Sequence, residues 1–325
     1  MIDEGLSVFL NPLDYLKSRK DKRVFIEKEL KNGMSWINLD ADILSQHPDS
    51  YKEYNIDEET IEYALDKNER AHMDYNRETG TVVFIFNVLN LKRDKDYYET
   101  IPMTFIVQKD KLLTVSNRAN TYVVDMMKNY IEYHEPVTVY KFLFASLELV
   151  CNSYYPIIEK MDETKDHINR LLHKTTTKKN LFALADLETS IVYLVAAAKQ
   201  NRMLLEHIKG HAIYRHLDEI EKEQFDDVMI EARQLVAMTD LISQVLSQLS
   251  GSYNNILNNN LNDNLTVLTI ISVLLAVLAV ITGFFGMNVP LPLSNDKNAW
   301  IYIVIISLIL WIVLTKALKW LANKK

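Results

Sequence analysis

An amide, a stripe of hydroxyls and a string of carboxylates are the groups in this 325-residue chain whose spacing suits them to a metal ion. The amide is Asn288, in Gly286-Met287-Asn288, which follows Phe284-Phe285 at the end of a long apolar run. Gly283 and Gly286 permit tight backbone geometry where a helix stops, so Asn288 is expected to present a neutral oxygen at a helix mouth. Neutral oxygens suit a hard divalent cation that keeps its waters, because magnesium demands near-octahedral geometry and dehydrates reluctantly. Upstream, Leu265, Thr269, Ser272, Ala276, Ala279 and Gly283 step by four and three, opposite Val267, Ile270, Leu274, Val277 and Ile281. A small-residue stripe packs helices closely in a bilayer; around a symmetry axis the same stripe, with Asn262 and Leu268, lines a pore that Leu265 constricts by dewetting. The carboxylates are Asp218, Glu219, Glu221, Glu223, Asp226, Asp227 and Glu231, seven acids in fourteen residues with Lys222 the only base. Such a run is ordinarily a solvated face. Across a subunit interface the like charges repel until a divalent ion bridges them, which makes Glu223, Asp226 and Asp227 candidates for a regulatory metal site.

These groups need a bilayer and a stalk to position them. Leu265 to Phe285 is 21 residues without a charge, and Ala299 to Thr315 is 17 before Lys316. About 20 apolar residues span a hydrocarbon core of roughly 30 Å, so the first run crosses and the second does if Lys316 and Lys319 snorkel. Lys316, Lys319, Lys324 and Lys325 follow the second span, whereas the connecting loop carries only Asp296 and Lys297. The positive-inside rule then places both termini in the cytoplasm of a multi-pass protein of the cell membrane. The acidic start, Met1-Ile2-Asp3-Glu4, does not read as a signal peptide. A single cysteine, Cys151, excludes an intrachain disulfide and fits a reducing compartment.

Three segments are expected: a cytoplasmic α/β domain over 1–135, a helical domain and stalk over 136–262, and a two-helix membrane domain over 263–325. In the first, β-branched runs at Thr81–Phe86, Met103–Val107 and Leu112–Val115, bounded by Thr79-Gly80 and Lys109-Asp110-Lys111, read as strands. Another strand is expected around Trp36–Leu39 and a helix over Glu58–Leu65. From Ile157 to Val289 there is no proline, and breaks near His173–Lys179 and at Gly210 predict two antiparallel helices and a third, long one. Along the third, Leu235, Met238, Ile242, Val245, Leu249 and Ile256 form a heptad-like seam that predicts packing against copies of itself. No stop separates this helix from the first span. Gly251 is its best candidate for a bend, with an asparagine-rich stretch between Asn254 and Asn264 beyond it.

The two terminal spans, the Gly-Met-Asn tripeptide after an aromatic, and the long helix entering the membrane resemble the CorA family of magnesium channels and transporters. Ser35-Trp36-Ile37-Asn38-Leu39, Leu65-Asp66-Lys67-Asn68-Glu69-Arg70 and the segment from Thr104 to Val115 are similar to that family's soluble domain. The resemblance implies a funnel-shaped homopentamer, a central pore lined by the first span, and magnesium as both cargo and regulatory ligand, closing the pore when it bridges subunits. Counting back from Asn288 without gaps, Asp227 falls on the family's principal regulatory acid, and a second acid nearer the membrane falls on Gly251. Phe285 stands where tyrosine is usual, and the loop reads Val289 to Asn295 before its first acid, Asp296.

Enzymatic chemistry is not expected. Seven glycines form no phosphate-binding loop, and there is no His-Glu-x-x-His helix and no cysteine pair for zinc. His207 and His211 share a helical spacing without an acidic partner. A net charge of −7 and the absence of a basic stripe argue against nucleic acid as a partner. The competing functions are zinc transport by the same architecture, against which the absence of Cys or His along the predicted pore argues, and a membrane-anchored cation sensor that does not conduct.

Overall fold

Apolar burial on both faces of a sheet explains the N-terminal architecture. The computed structural model describes residues 26–30, 33–46, 50–91, 96–174, 177–287 and 298–322. The strands β1 (Ile26–Glu29), β2 (Ser35–Asp40), β3 (His72–Tyr75), β4 (Val82–Asn90), β5 (Glu99–Gln108) and β6 (Lys111–Ser116) lie in the order β1-β2-β6-β5-β4-β3. Only β2 and β6 run parallel; the other neighbours are antiparallel. Eight consecutive residues of β4 are buried, as a strand covered on both sides requires. One face packs Ile37, Leu39, Val83, Ile85, Ile106, Leu113 and Val115 against Leu44 of helix α1 (Ala41–Gln46), Ile61 of α2 (Glu58–Leu65), and Tyr51 and Ile56. The alternate residues turn the other way: the Trp36 indole donates to Thr114 Oγ1 at 3.1 Å and lies edge-on to Phe142 at 5.6 Å.

Phe142 belongs to the helical layer on that second face, formed by α3 (Thr121–Tyr133), α4 (Val139–Lys174) and α5 (Lys178–Gly210). A short α6 (Ala212–His216) leads into α7 (Glu219–Phe285), and α8 (Ala299–Ala322) ends the described chain. The predicted strands and the helix at Glu58–Leu65 are present, and the breaks near 175 and at Gly210 fall where expected. The edge strands β1 and β3, Ile-Glu-Lys-Glu and His-Met-Asp-Tyr, were not anticipated, because four residues with two or more polar side chains carry no strand pattern. Helix α4 starts 18 residues before the proline-free stretch and runs through Pro156. The burial of Phe142, Leu143, Leu147, Val150 and Tyr154 before it and of Ile157 and Ile158 after it outweighs the lost N–H.

Asn201 docks α5 onto β4. Beyond Ile85 the outer edge of β4 has no partner strand among the described residues, since β3 pairs only as far as the His72–Ile85 couple. Asn201 takes the place of one: its Oδ1 accepts from the Asn87 N–H at 2.8 Å, and its Nδ2 donates to the Asn87 carbonyl at 2.8 Å. Tyr154 donates to that carbonyl as well, at 2.9 Å, and Tyr122 Oη accepts from the Leu89 N–H at 3.1 Å. A buried strand edge is thereby satisfied by side chains.

Among the described residues, three helices are long and apolar enough to cross a membrane: α5, α7 and the Trp300–Leu318 part of α8. Helix α5 spends that apolarity inside the protein, burying Leu184, Leu187, Ile191, Leu194, Ala198 and Leu205. The apolar windows of α7 and α8 are 6% and 0% buried. The chain forms two compact units that divide between Leu249 and Ser250. Helix α7 passes the division unbroken, 67 residues and roughly 100 Å at 1.5 Å per residue, with Gly251 inside it.

Candidate functional site

The apolar half of α7 has two unlike sides. Leu274 is buried, and Ile270, Val277 and Ile281 on the same stripe are half-buried. At 3.6 residues per turn the opposite stripe is Leu265, Thr269, Ser272, Ala276, Ala279 and Gly283, and every one of these is exposed, as are Asn262 and Leu268. The hydroxyls have a fixed polarity. Thr269 Oγ1 donates to the Leu265 carbonyl and Ser272 Oγ to that of Leu268, each at 2.8 Å; Thr266 likewise donates to Asn262 O at 2.8 Å. With their protons committed to the helix, these oxygens face outward as acceptors. Outward acceptors are complementary to the outward-pointing hydrogens of a hydrated cation's waters.

At the helix end Gly286 N–H donates to Thr282 O at 2.9 Å and Met287 N–H to Phe284 O at 3.4 Å. A Cβ on Gly286 would stand 3.0 Å from the Thr282 carbonyl oxygen, so any larger residue there crowds the closing turn. At Gly283 a Cβ meets nothing within 4 Å, so of the two glycines only Gly286 sits in a crowded place. Asn288 and the loop through Lys297 lie outside the described residues, as do the first 25 residues and Lys324 and Lys325.

The acidic run divides into separate roles. Asp218 and Glu221 form a reciprocal cap on α7: Glu221 N–H donates to Asp218 Oδ1 at 2.8 Å and Asp218 N–H to Glu221 Oε2 at 2.9 Å. Asp226 pairs with Lys209 of α5 at 3.0 Å. Glu231 Oε2 accepts from the Tyr155 hydroxyl at 2.8 Å. Glu219, Glu223 and Asp227 are exposed and, with Glu231, repeat every four residues along one side of α7, a spacing at which like charges repel. Partial desolvation, followed by the charges of Glu223, Asp226 and Glu231, pushes the Asp227 carboxyl above the usual range.

Glu148 of α4 faces the same place and was not singled out from sequence. Gln224 Nε2 donates to its Oε2 at 2.6 Å, while burial and the charges of Asp227 and Glu231 raise its pKa to about 7. The signal was present: a lone carboxylate in the apolar stretch from Phe142 to Ile158. Cys151 is fully buried one turn further on, and burial pushes its thiol up. Among the described residues, no three His, Cys, Asp or Glu side chains of a single chain approach closely enough to hold a metal. The His207 and His211 rings are 6.2 Å apart, and His211 Nδ1 accepts from Ile213 N–H as the cap of α6.

The predicted seam on α7 splits. Leu235 and Ile242 are buried within the chain, together with Val236, Thr239 and Leu246. Met238 and Val245 stay 37% exposed and Leu241 61% exposed, so the face left open runs through Met238, Leu241 and Val245. The correction follows from α4 and α5, which cover the first stripe: Phe144 meets Phe225 at 5.1 Å, and Lys199 pairs with Asp240 at 2.8 Å.

The structure thus combines a mixed α/β domain with long helices, one of which is long and apolar enough to cross a membrane and carries an outward row of hydroxyl oxygens. Residues 31–320 match the model of the CorA-like Mg2+ transporter proteins, and the chain belongs to that family. Among solved structures, the CorA magnesium transporter of Methanocaldococcus jannaschii is similar with a TM-score of 0.74 and 18% identity, covering 92% of each chain. Full-length CmaX is similar with a TM-score of 0.67 at 12% identity, covering 89% of this chain and 90% of that one. The ZntB cytoplasmic domain of Vibrio parahaemolyticus gives 0.57 at 8% identity, over 71% of this chain and 91% of that one. No curated protein sequence matches the chain.

Proposed function

We propose that this protein is a magnesium influx channel of the cell membrane, a homopentamer with a funnel-shaped cytoplasmic part whose α7 helices line the pore and whose α8 helices form a second span. The observation that carries the reading is the acceptor stripe of α7, exposed and opposite the covered Leu274 stripe, in a chain of the CorA-like family. Hydrated cations pass along Thr269 and Ser272, Leu265 and Leu268 form the apolar constriction, and Asn288 in Gly286-Met287-Asn288 orients the water shell at the mouth. Cobalt and nickel, of similar size and hydration, compete. Both termini are cytoplasmic. A membrane potential of 100 mV contributes about 4.6 kcal/mol to a divalent cation, roughly three orders of magnitude inward, so influx needs no other energy source.

Gating follows from the acidic stripe. Since one chain supplies no three-ligand cluster among its described residues, a regulatory magnesium would bridge Asp227 and Glu223 of one subunit to a neighbour, with Asp226 drawn off Lys209. An ion bound only in the closed state shifts the equilibrium toward it. Zinc is the second reading, motivated by the likeness to ZntB; a sensor without conduction is the third. Isotopic magnesium uptake into proteoliposomes, with zinc as competitor, separates them. Magnesium flux unaffected by equimolar zinc is expected; zinc flux without magnesium flux favours the second reading, and no flux of either favours the third.

A further inference from the structure

The parallel pair of the sheet, β2 and β6, parts at its carboxyl end. Asp40 and Ser116, the last residues of the two strands, lie opposite one another. From there the chain turns to opposite faces: β2 leads into α1, whose Leu44 packs in the first-face core, and β6 leads into α3, whose Tyr130 stacks on Phe142 on the second face. Parallel neighbours whose following helices go to different faces leave a crevice outside their carboxyl ends, and that is where open α/β sheets bind ligands. Strand β5 deepens it. Its pairing with β6 stops at the Thr104–Val115 couple while its pairing with β4 continues to Glu99, so Ile101 and Pro102 face no strand on the β6 side among the described residues. The result is a cavity of about 540 Å³, within the range of small-molecule sites.

Three kinds of group line this cavity. Donors are the first. Arg118, just past β6, pairs through Nε with Asp42, just past β2, at 3.3 Å. Both side chains are about half exposed, so the pair stabilises little, and the terminal nitrogens of the guanidinium have no partner among the described residues. Lys67, just past α2, is exposed and has no acid partner among them either. Asn117 Oδ1 accepts from the Ala119 N–H at 2.8 Å, which leaves its Nδ2 as a further donor. Acceptors are the second kind: Asp66 Oδ1 takes the Asn68 N–H at 2.8 Å, and its other carboxylate oxygen is uncommitted. The third is apolar, with Leu65, Ile101 and Pro102 half-buried in the wall.

We propose that this crevice binds a nucleoside monophosphate, with Arg118 and Lys67 on the phosphate, Asp66 on the ribose hydroxyls, and the base against Leu65, Ile101 and Pro102. A guanidinium held only by a surface carboxylate exchanges readily onto phosphate, whose oxygens match its fork. The cavity suits a single phosphate, because Asp42 and Asp66 offset its two cations and no glycine-rich loop supplies amides for a longer chain. The site lies wholly within the unit Met1–Leu249 and does not depend on the reading of the pore.

The test is isothermal titration of the full chain in detergent, in magnesium-free buffer, with AMP as the probe. One site per chain with a Kd of about 0.1 mM is expected, and adenosine and inorganic phosphate should each bind at least about tenfold more weakly, since neither fills both halves of the cavity. Arg118→Gln and Lys67→Gln should each weaken AMP binding about tenfold, the loss of one charge-assisted contact. Ser45 is exposed and lines the same cavity, so Ser45→Trp fills it without entering the core; AMP binding should vanish while the Tm stays that of the wild type. No heat from millimolar AMP, binding undiminished in Ser45→Trp, or inorganic phosphate binding as tightly as AMP overturns the proposal.

Discussion

Asn288 is the residue on which conduction turns in the proposed pore. Asn288→Ala removes the amide oxygen that the reading places at the mouth, so magnesium uptake should fall to the level of empty vesicles while the oligomer survives; uptake at the wild-type rate would make the tripeptide purely structural. Asp227→Ala should lift most of the inhibition that millimolar cytoplasmic magnesium exerts on flux, since Gly251 stands where the family resemblance places the second regulatory acid and Glu231 is held by the Tyr155 hydroxyl. Retained inhibition would move the sensor. Glu148 supplies a pH signature. Its folded pKa of about 7 lies above the ordinary 4.5, so between those values the folded chain holds a proton that the unfolded chain releases. Stability from this group is therefore lost as pH rises from about 4.5 to about 7. Glu148→Gln keeps an acceptor for Gln224 and removes the charge; its Tm should exceed the wild type at pH 8, with the gain shrinking toward pH 5. A constant Tm difference across that range would mean the carboxyl is not the titrating group.

Among the elements, the β4 edge shows how a helix replaces a strand. Pro102 sits opposite Asn87 in β5, beyond the last residue of β5 that pairs with β6, so its missing N–H costs the sheet nothing. On the other side Asn201 supplies the pairing. Asn201→Ala leaves the Asn87 carbonyl with Tyr154 but orphans the buried Asn87 N–H, a loss of about 1–3 kcal/mol in chemical denaturation. An unchanged midpoint would show that α5 is held by apolar contacts alone. The asparagine-rich part of α7 is the converse case, a weak helix former that stays helical because nothing interrupts it and both flanks are anchored.

At the scale of the whole molecule, the open Met238–Leu241–Val245 face is where copies should meet. Leu241→Glu puts a charge on a side chain 61% exposed in the single chain, so it should leave the subunit folded yet convert the oligomer to smaller species in native mass measurement. Leu235→Glu, on the stripe buried within the chain, should instead unfold the subunit. If both variants merely dissociate, the two stripes have been assigned to the wrong neighbours.

The sequence by itself determined the features whose physics is local. Length and charge-free composition mark the two apolar helices, the absence of proline carries α7 from the soluble part into the membrane run, and a 3.6-residue period sorts acceptors from aliphatics around it. Periodicity says which residues share a face and nothing of what covers that face. Only the tertiary structure gave Leu235 and Ile242 to the chain's own core and left Met238 and Leu241 open. Only it separated the capping acids Asp218 and Glu221 from the free ones, and brought Glu148 to Gln224 across 76 positions of sequence. Those assignments depend on contacts between distant segments, and burial is a property of the neighbour as much as of the residue.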